Sequence, residues 1–97
     1  MAKGYWIVHV EVTDPDAYKG YQALVPAAVG AFGGRMIVRG GTSDVVEGSA
    51  RPRHVVLEFP SYQAALDCYN SPEYQRAKAV RIACASADLV IIEGVEG

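Results

Sequence analysis

Several features that would reveal a protein's partners at once are missing from this sequence of 97 residues. It has no cluster of Lys and Arg and a formal net charge of −2, so the charge pattern of a nucleic-acid-binding protein is absent. No apolar run approaches the roughly 18 residues of a membrane-spanning helix. Near the start of the chain, His9 and Glu11 interrupt the apolar run before it matches a signal-peptide core. We therefore predict a cytoplasmic protein with neither nucleic-acid nor membrane partners.

Cysteine is scarce, and the motifs of common cofactor sites are absent. Cys68 and Cys84 are sixteen residues apart in helical patterns, which is not the spacing of a metal site. In a reducing compartment we expect them to be buried thiols. Arg39-Gly40-Gly41 does not lead from a strand into a helix, as a phosphate-binding loop would, and no nucleophile motif is recognisable. The sequence thus predicts no cofactor and no metal.

What the sequence does contain is clear strand alternation in residues 5–12 and 53–59. In both segments every second residue is apolar, and the residues between them include titratable side chains. The apolar side carries Trp6, Val8, Val10, Val55, Leu57 and Phe59, and the opposite side carries His9, Glu11, His54 and Glu58.

The remaining segments complete a strand and helix order. Asp14-Pro15 begins a helix that Gly33-Gly34 ends, with a kink expected at Pro26. Residues 35–39 are predicted to form a strand. We expect this strand to bend or bulge at Gly40-Gly41 and to continue over residues 43–47 as one long edge strand. It would form a hairpin with residues 53–59. A second helix, in two pieces, spans residues 61–69 and 71–84, and the apolar run in residues 88–94 predicts a strand covered on both faces.

This order, βαββαβ, predicts an α+β fold in which residues 1–97 form one domain. A single antiparallel sheet would carry both helices on one face and leave the other face in need of cover.

Motifs along nearly the whole chain resemble a known family. They are Gly33-Gly34-Arg35, Arg39-Gly40-Gly41, Glu47-Gly48, Glu58-Phe59-Pro60-Ser61, Tyr69-Asn70-Ser71-Pro72-Glu73-Tyr74 and Arg81. In this combination the chain resembles the domain of unknown function 1330 family, although Cys68-Tyr69 stands where such families typically carry Trp-Tyr. The resemblance implies a ferredoxin-like fold in the dimeric α/β-barrel superfamily, in which two sheets face each other, and no established reaction. That superfamily includes cofactor-free monooxygenases, isomerases, haem enzymes and binding modules, so the fold alone selects no activity.

The titratable side of the sheet is the candidate site. His9 and Glu58 are the candidate catalytic residues, and Arg39 is the candidate residue for binding an anionic group of the substrate. If a partner sheet covers this side, its titratable groups would line a partly enclosed cavity, with His9 and Glu58 as general acid or base for a substrate. The alternatives are a structural histidine, an ion pair of Glu58 with Arg39 or Arg81, and a capping role for Arg39. A metal site of His9, His54 and Glu58 is disfavoured, because diagonal positions on neighbouring strands are about 7 Å apart.

The break between the two helical pieces supplies further candidates for substrate binding. Tyr69, Ser71 and Tyr74 flank it, where free N–H groups could receive an anion. Capping and core packing are the alternative roles. Arg81 lies on the packing stripe of the second piece, and we expect it to pair with an internal carboxylate.

Three functions remain open at this point. The first is a homodimer with a small-molecule cavity at the sheet face and cofactor-independent chemistry, either proton transfer and isomerisation or monooxygenation of a small anionic organic substrate. The second is a module that binds a small molecule without converting it. The third is a purely structural dimer whose facing sheets leave no cavity.

Overall fold

The architecture follows the predicted order. The structure, a computed structural model, describes residues 2–96 of the predicted domain, and Met1 and Gly97 lie outside the described residues. Its elements are β1 (Gly4–Val12), α1 (Pro15–Gly30), β2 (Arg35–Arg39), β3 (Arg53–Phe59), α2 (Tyr62–Tyr69), α3 (Pro72–Cys84) and β4 (Ala85–Glu93). The ferredoxin-like βαββαβ order is therefore confirmed, with α2 and α3 as the two pieces of the second helix.

The four strands form one antiparallel sheet in the order β2-β3-β1-β4. The predicted alternation is confirmed, because the apolar side of β1 and β3 packs against the helices in a single core. Trp6 is at the centre of that core, where its ring is 5.1 Å from the ring of Phe59 and its Nε1 donates to the carbonyl of Ala65 at 3.0 Å. We call the helix-covered side of the sheet the inner face and the other side the open face.

The helices begin where the sequence predicts. The side chain of Asp14 accepts a hydrogen bond from the N–H of Ala17, and Ser61 and Ser71 cap α2 and α3 in the same way. Helix α1 runs through Pro26 and ends at Gly30, three residues before the predicted stop. Among residues 2–96, no helix is long and apolar enough to cross a membrane.

The edge strand β2 departs from the prediction in two ways. It ends at Arg39, and the predicted continuation over residues 43–47 is wrong, since residues 40–52 form an irregular connection. Gly40, at a φ of 62°, still donates its N–H to the carbonyl of His54 at 2.8 Å, and the pairing of this edge with β3 ends there. The bulge lies at Ile37 rather than at the glycines, because Met36 pairs with Leu57 while Val38 pairs with Val56.

The position of the bulge decides where Arg39 points. One extra residue in an edge strand shifts the alternation of every later side chain to the other face. Arg39 therefore pairs with Val55 and lies on the inner face, whereas Val38 lies on the open face. The expectation that Arg39 shares a face with His9 is wrong for this reason.

Candidate functional site

A cavity of about 190 Å³ lies between the inner face of the sheet and α1. Most of its wall is apolar, and the polar groups come from α1 and from the adjoining ends of β2 and β3. The lining residues are Trp6, Val8, Val10, Tyr18, Tyr21, Gln22, Val25, Pro26, Met36, Arg39, Arg53, Val55 and Leu57. The cavity is thus on the side of the sheet opposite to His9 and Glu58.

Helix α1 forms one wall because its lining residues recur at helical spacing. The lining residues of α1 share one face of the helix, since most of them are separated by three or four positions. They are Tyr18, Tyr21, Gln22, Val25 and Pro26. Proline has no N–H, so Pro26 leaves the carbonyl of Gln22 without its usual partner in the helix. This wall therefore offers phenol and amide groups beside its apolar residues.

Two arginines give the cavity a cationic end. The guanidinium of Arg53 is 6.0 Å from the ring centre of Tyr18, and its Nε is buried without a hydrogen-bond partner. Gly40 leaves room for this group, since with a Cβ at that position the Arg53 guanidinium would have to shift. Arg39 is exposed beside it, with its Nε 3.2 Å from the sulfur of Met36. Neither arginine forms an ion pair with a carboxylate of residues 2–96.

A chain of buried polar groups connects α3 to the cavity wall. Arg81, 7% exposed, donates from Nη1 to the hydroxyl of Tyr74 at 2.7 Å, and that hydroxyl is 2.9 Å from the hydroxyl of Tyr21. Burial raises the pKa of Tyr74 well above its ordinary value. Burial opposes the charge of Arg81, but the tyrosine oxygens outweigh it and raise the pKa of the guanidinium. Arg81 is thus a buried cation held by a phenol, and the expectation of an internal carboxylate partner is wrong.

The helix break has structural contacts in this fold. Ser71 Oγ donates to the carbonyl of Cys68 at 2.6 Å and accepts from the N–H of Tyr74 at 3.2 Å. The ring of Tyr69 packs against Trp6, and the ammonium of Lys78 is 5.1 Å from it. Neither Ser71 nor Tyr69 is among the residues that line the cavity.

Both cysteines are unpaired and buried. Burial raises the pKa of Cys68 to about 12, so its thiol is a poor nucleophile at neutral pH.

On the open face, His9 and His54 are directly opposite each other. Their Nδ1 atoms are 2.7 Å apart, so one ring donates and the other accepts. Asp88, next to His9 on β4, pairs with Arg51. Within residues 2–96 no three His, Cys, Asp or Glu side chains come together as a metal site.

Glu58 is at the other end of the open face and has three partners. Its carboxylate accepts from Arg35 Nε at 3.1 Å, from the Tyr5 hydroxyl at 3.2 Å and from Lys3 Nζ at 3.4 Å. Partial desolvation alone would raise the pKa of Glu58, but these hydrogen bonds outweigh it and hold the pKa below its ordinary value. One predicted alternative is an ion pair of Glu58 with Arg39 or Arg81. Glu58 does form ion pairs, but its partners are Arg35 and Lys3. A carboxylate with a lowered pKa is a weak base at neutral pH.

Comparison with known proteins places the chain in a family. The profile of the family described as Domain of unknown function (DUF1330) matches residues 3–95. The chain belongs to this family. No curated protein matches the DUF1330 chain.

Solved structures share the fold of this DUF1330 chain. A protein of unknown function from Rhodopseudomonas palustris has a TM-score of 0.76 at 18% identity, over 99% of this chain and 85% of its own. A dimeric ferredoxin-like protein of unknown function from Jannaschia sp. CCS1 has a TM-score of 0.66 at 18% identity, over 98% and 99%. SnoaB, a cofactor-independent oxygenase from Streptomyces nogalater, has a TM-score of 0.56 at 8% identity, over 100% and 97%. At these identities the similarity establishes the fold alone.

The cavity of this DUF1330 protein includes residues that sequence reasoning did not single out. Tyr18 and Tyr21 have the spacing of an apolar stripe on α1, and such a stripe usually indicates packing. Arg53 did carry a signal, because it is in phase with Val55 and Leu57 and so predicts a cation on the apolar side of β3. Of the predicted binding residues, Arg39 lines the cavity, and Tyr74 and Arg81 reach it through Tyr21.

Proposed function

We propose that this DUF1330 protein is a homodimer that binds a small organic anion in the cavity between α1 and the sheet. One observation carries the proposal: the cavity contains two arginines without carboxylate partners in residues 2–96, and the Nε of Arg53 is buried with no hydrogen bond. An unpaired polar atom of a guanidinium in a partly closed cavity is costly unless a ligand completes it. A carboxylate, enolate or phenolate would do so, since the guanidinium fork matches planar oxyanions.

The cavity also limits the size and polarity of the ligand. Its 190 Å³ is below the roughly 300 Å³ at which pockets for drug-sized ligands begin. Trp6, Val10, Val25 and Leu57 provide an apolar wall for the body of the ligand. The geometry therefore favours a molecule with one anionic group and a compact apolar or aromatic body.

The dimer would form through the open face. Register places Val38, Val56, Ile7 and Val90 in one line across all four strands, and we call this line the apolar row. Val38 is 42% and Val90 53% exposed, and Ile92 beside the row is 47% exposed. Such a surface is typical of an interface, and structures of the same fold are described as dimeric. A second copy of the chain is the occupant that this fold similarity favours.

Fluorescence of the single tryptophan tests the cavity, because Trp6 lines it. Titration with a panel of benzoate, phenylacetate and 4-nitrophenol should change the emission saturably for at least one member. Arg53→Met should weaken that binding about 10-fold or more, the effect of losing a hydrogen bond to a charged group. Arg76→Met, an exposed arginine on α3, is the matched control and should leave binding unchanged. Equal affinity of the Arg53 and Arg76 variants, or no response to any probe, would overturn the proposal.

A second candidate is cofactor-independent conversion of the bound molecule, either proton transfer and isomerisation or monooxygenation. It is supported by the fold shared with the Streptomyces oxygenase and by the buried hydroxyl chain that reaches the cavity wall. His9 and Glu58 would contribute only to a reaction between the two sheets of the dimer, since they are on the open face. Mass spectrometry of a bound probe after incubation in air distinguishes the two functions: recovery of the unchanged probe supports binding alone, and a product supports an enzyme. His9→Asn and Glu58→Gln then test those two residues.

A further inference from the structure

The buried chain Arg81–Tyr74–Tyr21 is not explained by packing alone. Arg81 is buried on α3, yet no carboxylate of residues 2–96 forms an ion pair with it. A cation with so little solvent requires electron-rich partners, and it has the hydroxyl of Tyr74 at 2.7 Å and the ring centre of Tyr21 at 5.6 Å. A phenol compensates only part of the charge, so the far end of this chain remains electron-poor.

The order of the hydrogen bonds can be deduced from satisfaction of the buried groups. The oxygen of Tyr74 accepts from Arg81, so the proton of Tyr74 has to find another acceptor. Tyr74 is fully buried, and within residues 2–96 the only other group bonded to its hydroxyl is the hydroxyl of Tyr21. If Tyr21 donated instead, the buried proton of Tyr74 would be left unsatisfied at a cost. Tyr74 therefore donates to Tyr21.

Tyr21 then has a proton to donate elsewhere. It is half-buried and is the member of the chain that lines the cavity. Hydrogen bonds in series polarise each other, so an O–H at the end of a series that begins at a guanidinium is a stronger donor than an isolated phenol. A ligand oxygen that carries negative charge is the acceptor that gains most from such a donor.

We propose that the Tyr21 hydroxyl is the hydrogen-bond donor to the oxyanion of the ligand, with Tyr74 and Arg81 as positioning residues that polarise it. This inference rests on the proposed function and makes it more specific, because it favours ligands with a phenolate or enolate oxygen over neutral analogues. Preorganised donors of this kind stabilise oxyanions in enzymes as well as in binding proteins. The site would thus bind the ionised form of an acidic ligand more tightly than its protonated form.

Bound 4-nitrophenol provides the test, since its ionised form absorbs visible light and its neutral form does not. The affinities of the two forms follow from titrations at several pH values, and their ratio measures the oxyanion preference directly. The wild-type protein should bind the phenolate about 10-fold or more tighter than the phenol, equivalent to a decrease of about one unit in the pKa of the bound probe.

Tyr21→Phe should remove most of that preference while neutral probe binding changes by less than about twofold, because the ring and the cavity shape are retained. Tyr74→Phe should lower the ratio of phenolate to phenol affinity only in part. Arg81→Lys, which keeps the positive charge, should retain more of this ratio than Arg81→Met. Tyr62→Phe, a partly exposed tyrosine on α2 outside the cavity lining, is the control and should bind like the wild type. Circular dichroism of each variant confirms that it is folded.

The outcomes separate this inference from the proposed function. A phenolate preference that survives in Tyr21→Phe overturns the role of Tyr21, while binding that still weakens in Arg53→Met leaves the cavity as the ligand site. Equal binding of phenol and phenolate by the wild type also overturns the inference. If neither 4-nitrophenol nor the carboxylates of the panel bind, the proposed function fails, and the inference fails with it.

Discussion

The two faces of the sheet are built from the same strands but differ in what they can do. The inner face encloses the core and the cavity, where the polar groups are tyrosines and arginines with few partners. On the open face three titratable groups already have partners, with His9 bonded to His54, Glu58 to Arg35 and Asp88 to Arg51. Between these pairs lies the apolar row. The inner face thus has polar groups without partners in residues 2–96 beside a cavity, whereas the open face has an exposed apolar row between its paired groups.

If the cavity is the ligand site, as proposed, the titratable residues of the strands are a poor guide to it. His9 and Glu58 stand out in the sequence because they interrupt apolar strands, yet each already has a partner on its own subunit. Tyr21 looks ordinary in the sequence, and Arg53 is marked only by its phase with the apolar residues of β3, yet both residues line the cavity. Unsatisfied groups beside an apolar cavity indicate a ligand better than charged groups on a sheet do.

The difference between the inner face and the open face is tested most strongly by removing a large side chain from the inner face. Phe59 is 1% exposed and packs on Trp6. Phe59→Ala should lower the free energy of unfolding by about 3–5 kcal/mol through lost burial and the cavity that is left. Chemical denaturation at two protein concentrations measures this loss, which should be the same at both. Val46→Ala, at an 82% exposed position in the connection between β2 and β3, should cost less than about 0.5 kcal/mol. Similar losses for both variants would contradict the placement of the core.

The second-largest effect is expected when a charge is placed on the open face. Val90→Lys puts a charge in the middle of the apolar row and should raise the dissociation constant of the dimer about 30-fold or more, equivalent to about 2 kcal/mol. Sedimentation over a range of concentrations measures the constant, and the far-ultraviolet spectrum should remain that of the folded chain. Ile82→Lys adds the same charge at a 63% exposed position on α3 and serves as the control. A wild-type chain that is monomeric, or a Val90→Lys variant that dimerises normally, would remove the open face as the interface.

The sequence is sufficient to predict the order of elements, the three capped helix starts and the inner side of β1 and β3. Those features depend on local chemistry, such as Asp14-Pro15 and Ser71-Pro72, and on period-2 alternation, which survives in any register. The family resemblance, carried by motifs along the chain, is confirmed by the DUF1330 match over residues 3–95.

The sequence is not sufficient to place the bulge, the partners of the buried groups or the cavity. A bulge at Ile37 rather than at Gly40-Gly41 reverses the side on which Arg39 lies, and nothing in the local residues distinguishes the two positions. The hydroxyl partner of Arg81 belongs to its own helix, but the contact with Tyr21 requires α1 and α3 to be adjacent in space. Long-range packing settles such contacts, and local patterns in the sequence do not reveal that packing.

A smaller effect separates structure from function at the helix break. Ser71→Ala removes the cap of α3 and should lower the free energy of unfolding by about 1 kcal/mol, because the N–H of Tyr74 loses its acceptor. Probe affinity measured by Trp6 fluorescence should be unchanged, since Ser71 is not among the residues that line the cavity. Ser61→Ala, which removes the cap of α2, is the matched variant. Weaker probe binding in Ser71→Ala alone would restore Ser71 as a binding residue.

The smallest effect should come from Glu58, the most extensively paired acid of the open face. Hydrogen bonds from Arg35, Lys3 and Tyr5 hold its pKa in the folded protein below the ordinary value of 4.5. Its contribution to stability is therefore complete above about pH 4.5 and is lost as the pH falls through the lower pKa of the folded state. Thermal unfolding between pH 3 and 6 should show Glu58→Gln less stable than the wild type at pH 6, with the difference shrinking as acid is added. Asp16→Asn, in the exposed pair of α1 with Lys19, is the control and should show a smaller change over this range. A constant difference for Glu58→Gln would mean that its charge does not stabilise the open face, and the partners of Glu58 would then matter through packing alone.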